Sequence, residues 1–168
     1  SARPASPLYR ARPSSSRLST SSESDPSLPV LSDSPLPPVV QRMMGGGAMS
    51  QWLGIDVLES GPGVCTCRMT VGEEMVNGFG IAHGSITYAL ADSTLAFAVN
   101  AQGQHAVSVT STIQHLAAVQ VGDVLTARAI PRADGGRIAH VDVEVTNQHG
   151  DRVAWLTATG YKRSSTWT

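Results

Sequence analysis

Small and apolar side chains dominate residues 84–100, on every side of the helix that they predict. Ile86, Ala89, Leu90, Ala91, Leu95, Ala96, Phe97, Ala98 and Val99 are small or apolar, and Asp92 is the one carboxylate among them. Ser85 stands at the head of the segment, Asn100 at its tail and Gly103 just beyond, with no glycine or proline between Ser85 and Asn100, a pattern that predicts a single helix. A helix apolar on every side is a buried helix. This one is too short to cross a membrane.

The flanking segments change period. Residues 54–60 and 63–71 alternate, the second with Val64, Thr66, Arg68 and Thr70 against Cys65, Cys67, Met69 and Val71, and Ser60-Gly61-Pro62-Gly63 joins them as a hairpin. Four further strand-like runs follow the helix, at 105–116, 123–133, 137–147 and 152–163. The turns Gln120-Val121-Gly122-Asp123, Asp134-Gly135-Gly136 and Gln148-His149-Gly150-Asp151 separate them. Val141, Val143 and Val145 alternate with Asp142, Glu144 and Thr146, which predicts one buried and one wet face and hence an antiparallel sheet. No second helix is long enough to join parallel strands. The fold class is therefore α+β: a curled antiparallel sheet of about five to six strands wrapped around one long central helix. Residues 39–53 read as a short helix weakened by Gly45-Gly46-Gly47, since each glycine costs about 1 kcal/mol in a helix interior.

Composition narrows the function. The 168 residues are 41% hydrophobic and 15% charged with a net charge of -1, enough for one domain with a real core and without the basic excess of a nucleic-acid binder. Cys65 and Cys67, the only cysteines, fall on one strand face at a spacing unsuited to an ordinary disulfide, which predicts a reducing, cytoplasmic setting. His83, His105, His115, His140 and His149 show no metal-ligand spacing, so no metal or other cofactor is expected. Residues 1–38 are rich in Ser, Pro and Arg without hydrophobic periodicity and are expected to be disordered, leaving a domain over 39–164. Arg3, Arg10, Arg12 and Arg17, with no acid among the first 22 residues, suit a transit peptide; read-through upstream of Met43, Met44 or Met49, or a cloning remnant, suits them equally.

Two positions invite chemistry. Asp92, inside an apolar helix, must be paired, protonated or open to a cleft, because an unpaired buried carboxylate loses its hydration without compensation. It is either functional or a packing carboxylate bonded to a hydroxyl. Gly84 ends the loop Asn77-Gly78-Phe79-Gly80-Ile81-Ala82-His83 at the helix N-terminus, where free N–H groups and the macrodipole suit an anion or a developing oxyanion. The glycines serve that end or only the turn. Asp92 follows Gly84 by eight residues, or roughly 12 Å along the helix. One chain cannot bring both to the same atom, so a site using both is shared between copies.

The pattern M-x-N-G-x-G-x-x-H-G-x-x-x-x-x-L-A-D, running from Met75 to Asp92 with Leu90 and Ala91 before the acid, is followed by Asn100-Ala101-Gln102-Gly103, a Thr112-Ile113 strand and the Val121-Gly122-Asp123 turn. Together they resemble the hotdog-fold acyl-CoA thioesterases, in the phenylacetic acid degradation branch that is similar to the Arthrobacter-type hydroxybenzoyl-CoA thioesterases. The likeness covers about residues 52–163. It implies a homodimer or homotetramer that hydrolyses acyl-CoA, with no nucleic acid or membrane partner and active sites shared between protomers. It makes Asp92 the catalytic carboxylate, as nucleophile or as general base, and Gly84 the N–H that polarises the thioester carbonyl. Asn77 orients the thioester or the attacking water. His83, with a loop-holding role, Gly78 and Ser108 complete the substrate-contacting set.

The chain departs from that pattern at Ala96, where some relatives place a hydroxyl one turn beyond the acid; Ser108 is the substitute. It departs again at His115-Leu116-Ala117-Ala118, where relatives often carry an aromatic residue followed by Arg-Pro, and at Ser85, where a second glycine is common. A lost arginine removes a phosphate contact worth about 1.5–3 kcal/mol. Competing readings are a hotdog hydratase or dehydratase pairing His83 with an acid, a non-catalytic acyl-thioester binder, and a dinucleotide loop at Gly78-x-Gly80 that lacks a βαβ unit. A chain beginning at Val39 is expected to melt at nearly the temperature of the full chain, because residues 1–38 bring no apolar set to bury. A fall of more than a few degrees in a thermal melt would show that the tail packs on the domain.

Overall fold

The computed structural model describes residues 35–167. Up to residue 34 the expected disordered tail lies outside them. Two short helices come first, α1 (Pro38–Gly46) and α2 (Ala48–Trp52). The single helix expected here is broken at Gly47, whose backbone is not helical. Pro38 occupies the first helical position, where its missing N–H would have had no partner anyway. Val40, Leu53 and Ile55 anchor this segment in the core.

Then follow β1 (Asp56–Gly61), β2 (Val64–Thr70), α3 (Gly84–Asn100), β3 (Gln104–His115), β4 (Val124–Asp134), β5 (Ile138–Thr146) and β6 (Arg152–Thr166). The six strands make one antiparallel sheet in the spatial order β1-β2-β4-β5-β6-β3. Both the class and the central helix match the expectation, and β6 runs past the expected domain end at 164. The start signal differs: α3 is capped by His83, one residue before its first helical position, while Ser85 lies inside the first turn.

The concave face of the sheet wraps α3. Cys67 and Met69 of β2, Leu125 and Ala127 of β4, Val143 and Val145 of β5, and Leu156 and Ala158 of β6 are buried, as are Ile86, Leu90, Leu95 and Ala98 of the helix. Each large side chain sunk here is worth about 1.5–3 kcal/mol. Alanines on the inner strands, and Gly160 where a Cβ would stand 3.5 Å from Val99 Cγ1, let the helix come close. The Cys65 and Cys67 sulfurs lie 3.6 Å apart as free thiols on that face. The hydrogen bond with Cys67, and then burial, push the Cys65 thiol up.

The convex face is not uniformly wet. Asp142 is only 7% exposed, because Arg132 Nε donates to its Oδ2 at 2.7 Å and covers it. Trp155 lies alongside, with the Arg152 guanidinium 4.8 Å from its ring centre. Alternation placed Asp142 outward correctly but could not foresee that an arginine from β4 would lie across it.

Asn100 closes the far end of α3. Its Nδ2 donates to the carbonyls of Ala96 (2.9 Å) and Ala106 (3.0 Å), and its Oδ1 accepts from Ala106 N–H (2.8 Å) and Trp167 Nε1 (2.9 Å). One buried amide thus ties the helix end to β3 and to the end of β6. Asn100→Ala strands several of these groups away from water, and each orphaned buried group costs about 1–3 kcal/mol. A urea titration is expected to show the midpoint falling accordingly; an unchanged midpoint would mean that water replaces the amide.

Candidate active site

After β2 the chain makes a 3₁₀ turn, Glu73–Met75, and a loop that delivers it to the start of α3. Asn77 organises that loop. Its N–H donates to the Ile81 carbonyl (2.8 Å), its carbonyl accepts from Gly80 N–H (3.0 Å), and its Oδ1 accepts from Phe79 N–H (2.8 Å). Gly80 has a φ of 74°, which a side chain would strain. Nothing crowds Gly78, which lies at the exposed tip beside Phe79. The loop is pinned by Ala82 N–H to the Val119 carbonyl and His83 N–H to the Met75 carbonyl, both 2.8 Å.

His83 then starts the helix. Its Nδ1 accepts from Ser85 N–H at 3.1 Å and lies 2.7 Å from Ser85 Oγ, so the unprotonated nitrogen satisfies a first-turn donor as a capping oxygen would. Ile86 N–H goes to the His83 carbonyl. The Gly84 N–H has no partner among the described residues and stands at the positive end of the longest helix.

A recess of about 170 Å³ opens at this point, lined by Asn77, Gly84, Thr87 and His115 and walled by Ala117, Ala118 and Val119. Asn77 and Gly84 are thus brought together. Gly84 lies close under His115: a Cβ there would stand 3.1 Å from Nε2, so the ring would have to shift by a few tenths of an ångström to admit one. Asn77 has its Oδ1 committed to the loop, which leaves its amide N–H groups for a ligand.

Asp92 lies outside the recess, further along the flank of α3 that faces β3. Its Oδ1 accepts from Ser108 Oγ at 3.3 Å. One turn back, Tyr88 Oη and Ser111 Oγ are 2.7 Å apart, and at the helix start Thr87 Oγ1 lies 3.2 Å from His115 Nδ1. Ser108, Ser111 and His115 reach the same helix although their numbers do not share one parity. A bulge is the reason: Ser108 pairs with Gly160 and Thr110 with Thr159, so β3 holds one extra residue at Val109 and the face switches there. A strict period of two would place Ser108 and Ser111 on opposite faces. Ser111 and His115 were not named as site residues from the sequence for this reason, and the run of polar residues along β3 was the available signal; Thr87 was passed over as one more hydroxyl of an apolar helix.

Burial pushes the Asp92 carboxyl up from its ordinary range, and the hydrogen bond from Ser108, which favours the charged form, offsets part of that. A carboxyl whose folded value is raised binds its proton more tightly when folded, so its stabilising share is whole below the ordinary carboxylate value near 3.9 and is lost as pH rises through the folded value. Asp92→Asn should therefore melt higher than the parent at neutral pH, with the gap closing as the solution is acidified towards pH 4. Melting curves over a pH series check this. A variant that melts lower at pH 7 would show instead that the charged carboxylate is stabilising.

Comparison with known proteins bears on the family and the fold. The Thioesterase superfamily model matches residues 79–154, which run from the loop before α3 into β6. The chain is 35% identical over 126 residues to the acyl-coenzyme A thioesterase PaaI of Escherichia coli K12, covering 75% of this chain and 90% of that protein. The solved structure of E. coli PaaI superimposes with a TM-score of 0.75 at 33% identity, covering 80% of this chain and 100% of that one. The structure of smu.793 from Streptococcus mutans UA159 bound to acetyl CoA gives a TM-score of 0.65 at 28% identity, over 67% and 91% of the two chains. On these grounds the chain belongs to the thioesterase superfamily, and the sheet curled around α3 is the hotdog fold.

Proposed function

We propose that this chain hydrolyses acyl-CoA thioesters of small acyl groups, arylacetyl groups foremost, in sites shared between two copies. The observation that carries the reading is the free Gly84 N–H at the head of α3, opening into a recess beside the Asn77 amide. A thioester carbonyl seated there gains charge on its oxygen as the carbon is attacked, and an aligned N–H at a helix N-terminus stabilises that charge at no cost of reorganisation. The PaaI name and the acetyl CoA bound by smu.793 support an acyl-CoA as substrate.

What the recess lacks within one copy is the carboxylate. Asp92 is roughly 12 Å along the helix from Gly84. A two-fold axis passing near Tyr88, midway between them, would set Gly84 of one copy opposite Asp92 of the other. The outer edge of β3 supports that axis. It is the last strand of the sheet, and Val107 and Val109 are 52% and 55% exposed, an open apolar edge of the kind proteins keep covered. Two such edges side by side would continue the sheet and bring the two α3 helices together. Asp92 then supplies the attacking oxygen or the base that water needs at neutral pH. His83, with Nδ1 committed to the helix start, is poorly placed for the α-proton chemistry of a hydratase.

Phenylacetyl-CoA is expected to be turned over with release of CoA. Asp92→Asn, which keeps the shape and removes the charge, should lower kcat by about 10²–10⁴-fold, the range of a general acid–base group. The Kd of a non-hydrolysable thioether should move by no more than a few-fold. Mixing Asp92→Asn with Asn77→Ala chains should restore activity at one of the two sites in each heterodimer. An active monomer in sedimentation, or an Asn variant close to the parent in rate, would overturn the reading.

A further inference from the structure

A carboxylate that has attacked a carbonyl and become acylated has lost its negative charge and with it the basicity needed to strip a proton from water, so completing the hydrolysis needs a second base. We propose that His115 is that base. The inference rests on the thioesterase reading and assigns the two groups to two steps.

The hydrogen bonds around Thr87 set the tautomer of the neutral ring. The Thr87 hydroxyl donates its one proton to the Gly84 carbonyl at 3.0 Å, so towards His115 Nδ1, 3.2 Å away, its oxygen accepts. Nδ1 therefore carries the ring proton and Nε2 carries a free lone pair. Nε2 is also the ring atom nearest Gly84, at 3.1 Å from the point where a Cβ would stand. The lone pair sits at the rim of the recess that offers the Gly84 N–H and the Asn77 amide. Among the described residues lining that recess His115 alone is titratable, and it is exposed, so water reaches it. A plain aromatic ring would fill the same place against Gly84, whereas the imidazole adds a proton acceptor.

The steps balance as follows. An Asp92 oxygen of the second copy bonds to the thioester carbon, the C–S bond breaks, and CoA leaves as a thiolate that takes a proton from solvent. The product is a mixed anhydride on Asp92. Water then bonds to the acyl carbon while His115 Nε2 accepts one of its protons. The bond from the acyl carbon to the Asp92 oxygen breaks with its electron pair returning to the carboxylate, the free acid departs, and the imidazolium gives its proton to solvent.

The experiment is rapid-mixing release of CoA from phenylacetyl-CoA by the full chain carrying His115→Phe, which keeps a ring and deletes the lone pair. The expected result is a burst of one CoA per site at the parent's rate, then turnover slowed by at least about 10²-fold, the scale of a lost general base. The intact mass should rise by one phenylacetyl group during the slow phase. Turnover within a few-fold of the parent, or a slow rate with no burst, overturns the assignment. Melting temperature and thioether binding report whether the variant folds, and His115→Gln gives the same two readouts if the Phe variant does not. A parent chain that releases no CoA at all would instead refute the thioesterase reading on which the inference stands.

Discussion

The absence of a polar face on α3 governs the rest of the structure. A helix that is apolar nearly all round cannot rest on a sheet with one side to water, so the sheet must curl around it. Curling brings strands close on several sides, which only small inner residues permit, hence Ala127, Ala154, Ala158 and Gly160. What remains uncovered is the helix's first turn and the flank carrying Tyr88 and Asp92 towards β3. Chemistry has nowhere else to go on this helix.

That confinement sets stability against function at Asp92. Its burial makes the charged form unfavourable, and Ser108 offsets only part of the loss. A carboxylate short of hydration is also a more reactive one, because fewer water contacts must be given up when it forms a bond. A second copy laid along β3 would deepen both effects.

Much of this could be read from the sequence because the signals were local. Helix α3 was written in its composition, the strands in their alternation, and Gly84 with Asp92 in a spacing that a ruler could test. The His83 cap was not legible, because an imidazole nitrogen replaced the usual serine oxygen in a first turn that also contains a serine. Asp142 is buried by Arg132, a partner from another strand that no single-strand pattern includes. His115 escaped for a geometric reason: the bulge at Val109 changes which side of β3 faces the helix, and a bulge of this kind leaves no glycine or proline in the sequence to announce it. Motif spacing pointed to Gly84 and Asp92 on the helix and to Ser108 on the strand, but not to Thr87, Ser111 or His115.

The pairing of β3 carries a consequence for the order of assembly. Its ladder is with β6 alone, the last strand of the chain, so that His115 sits opposite Ala154 and Ser108 opposite Gly160. On a ribosome, β1, β2, β4 and β5 could pair in turn as they emerge, whereas β3 waits for the closing segment although it is made before β4. Throughout that interval the flank of α3 bearing Tyr88 and Asp92 has no strand beside it. The nascent chain is then most exposed to wrong partners along the surface where the finished protein would meet its second copy, and translation finishes before the protein can be active.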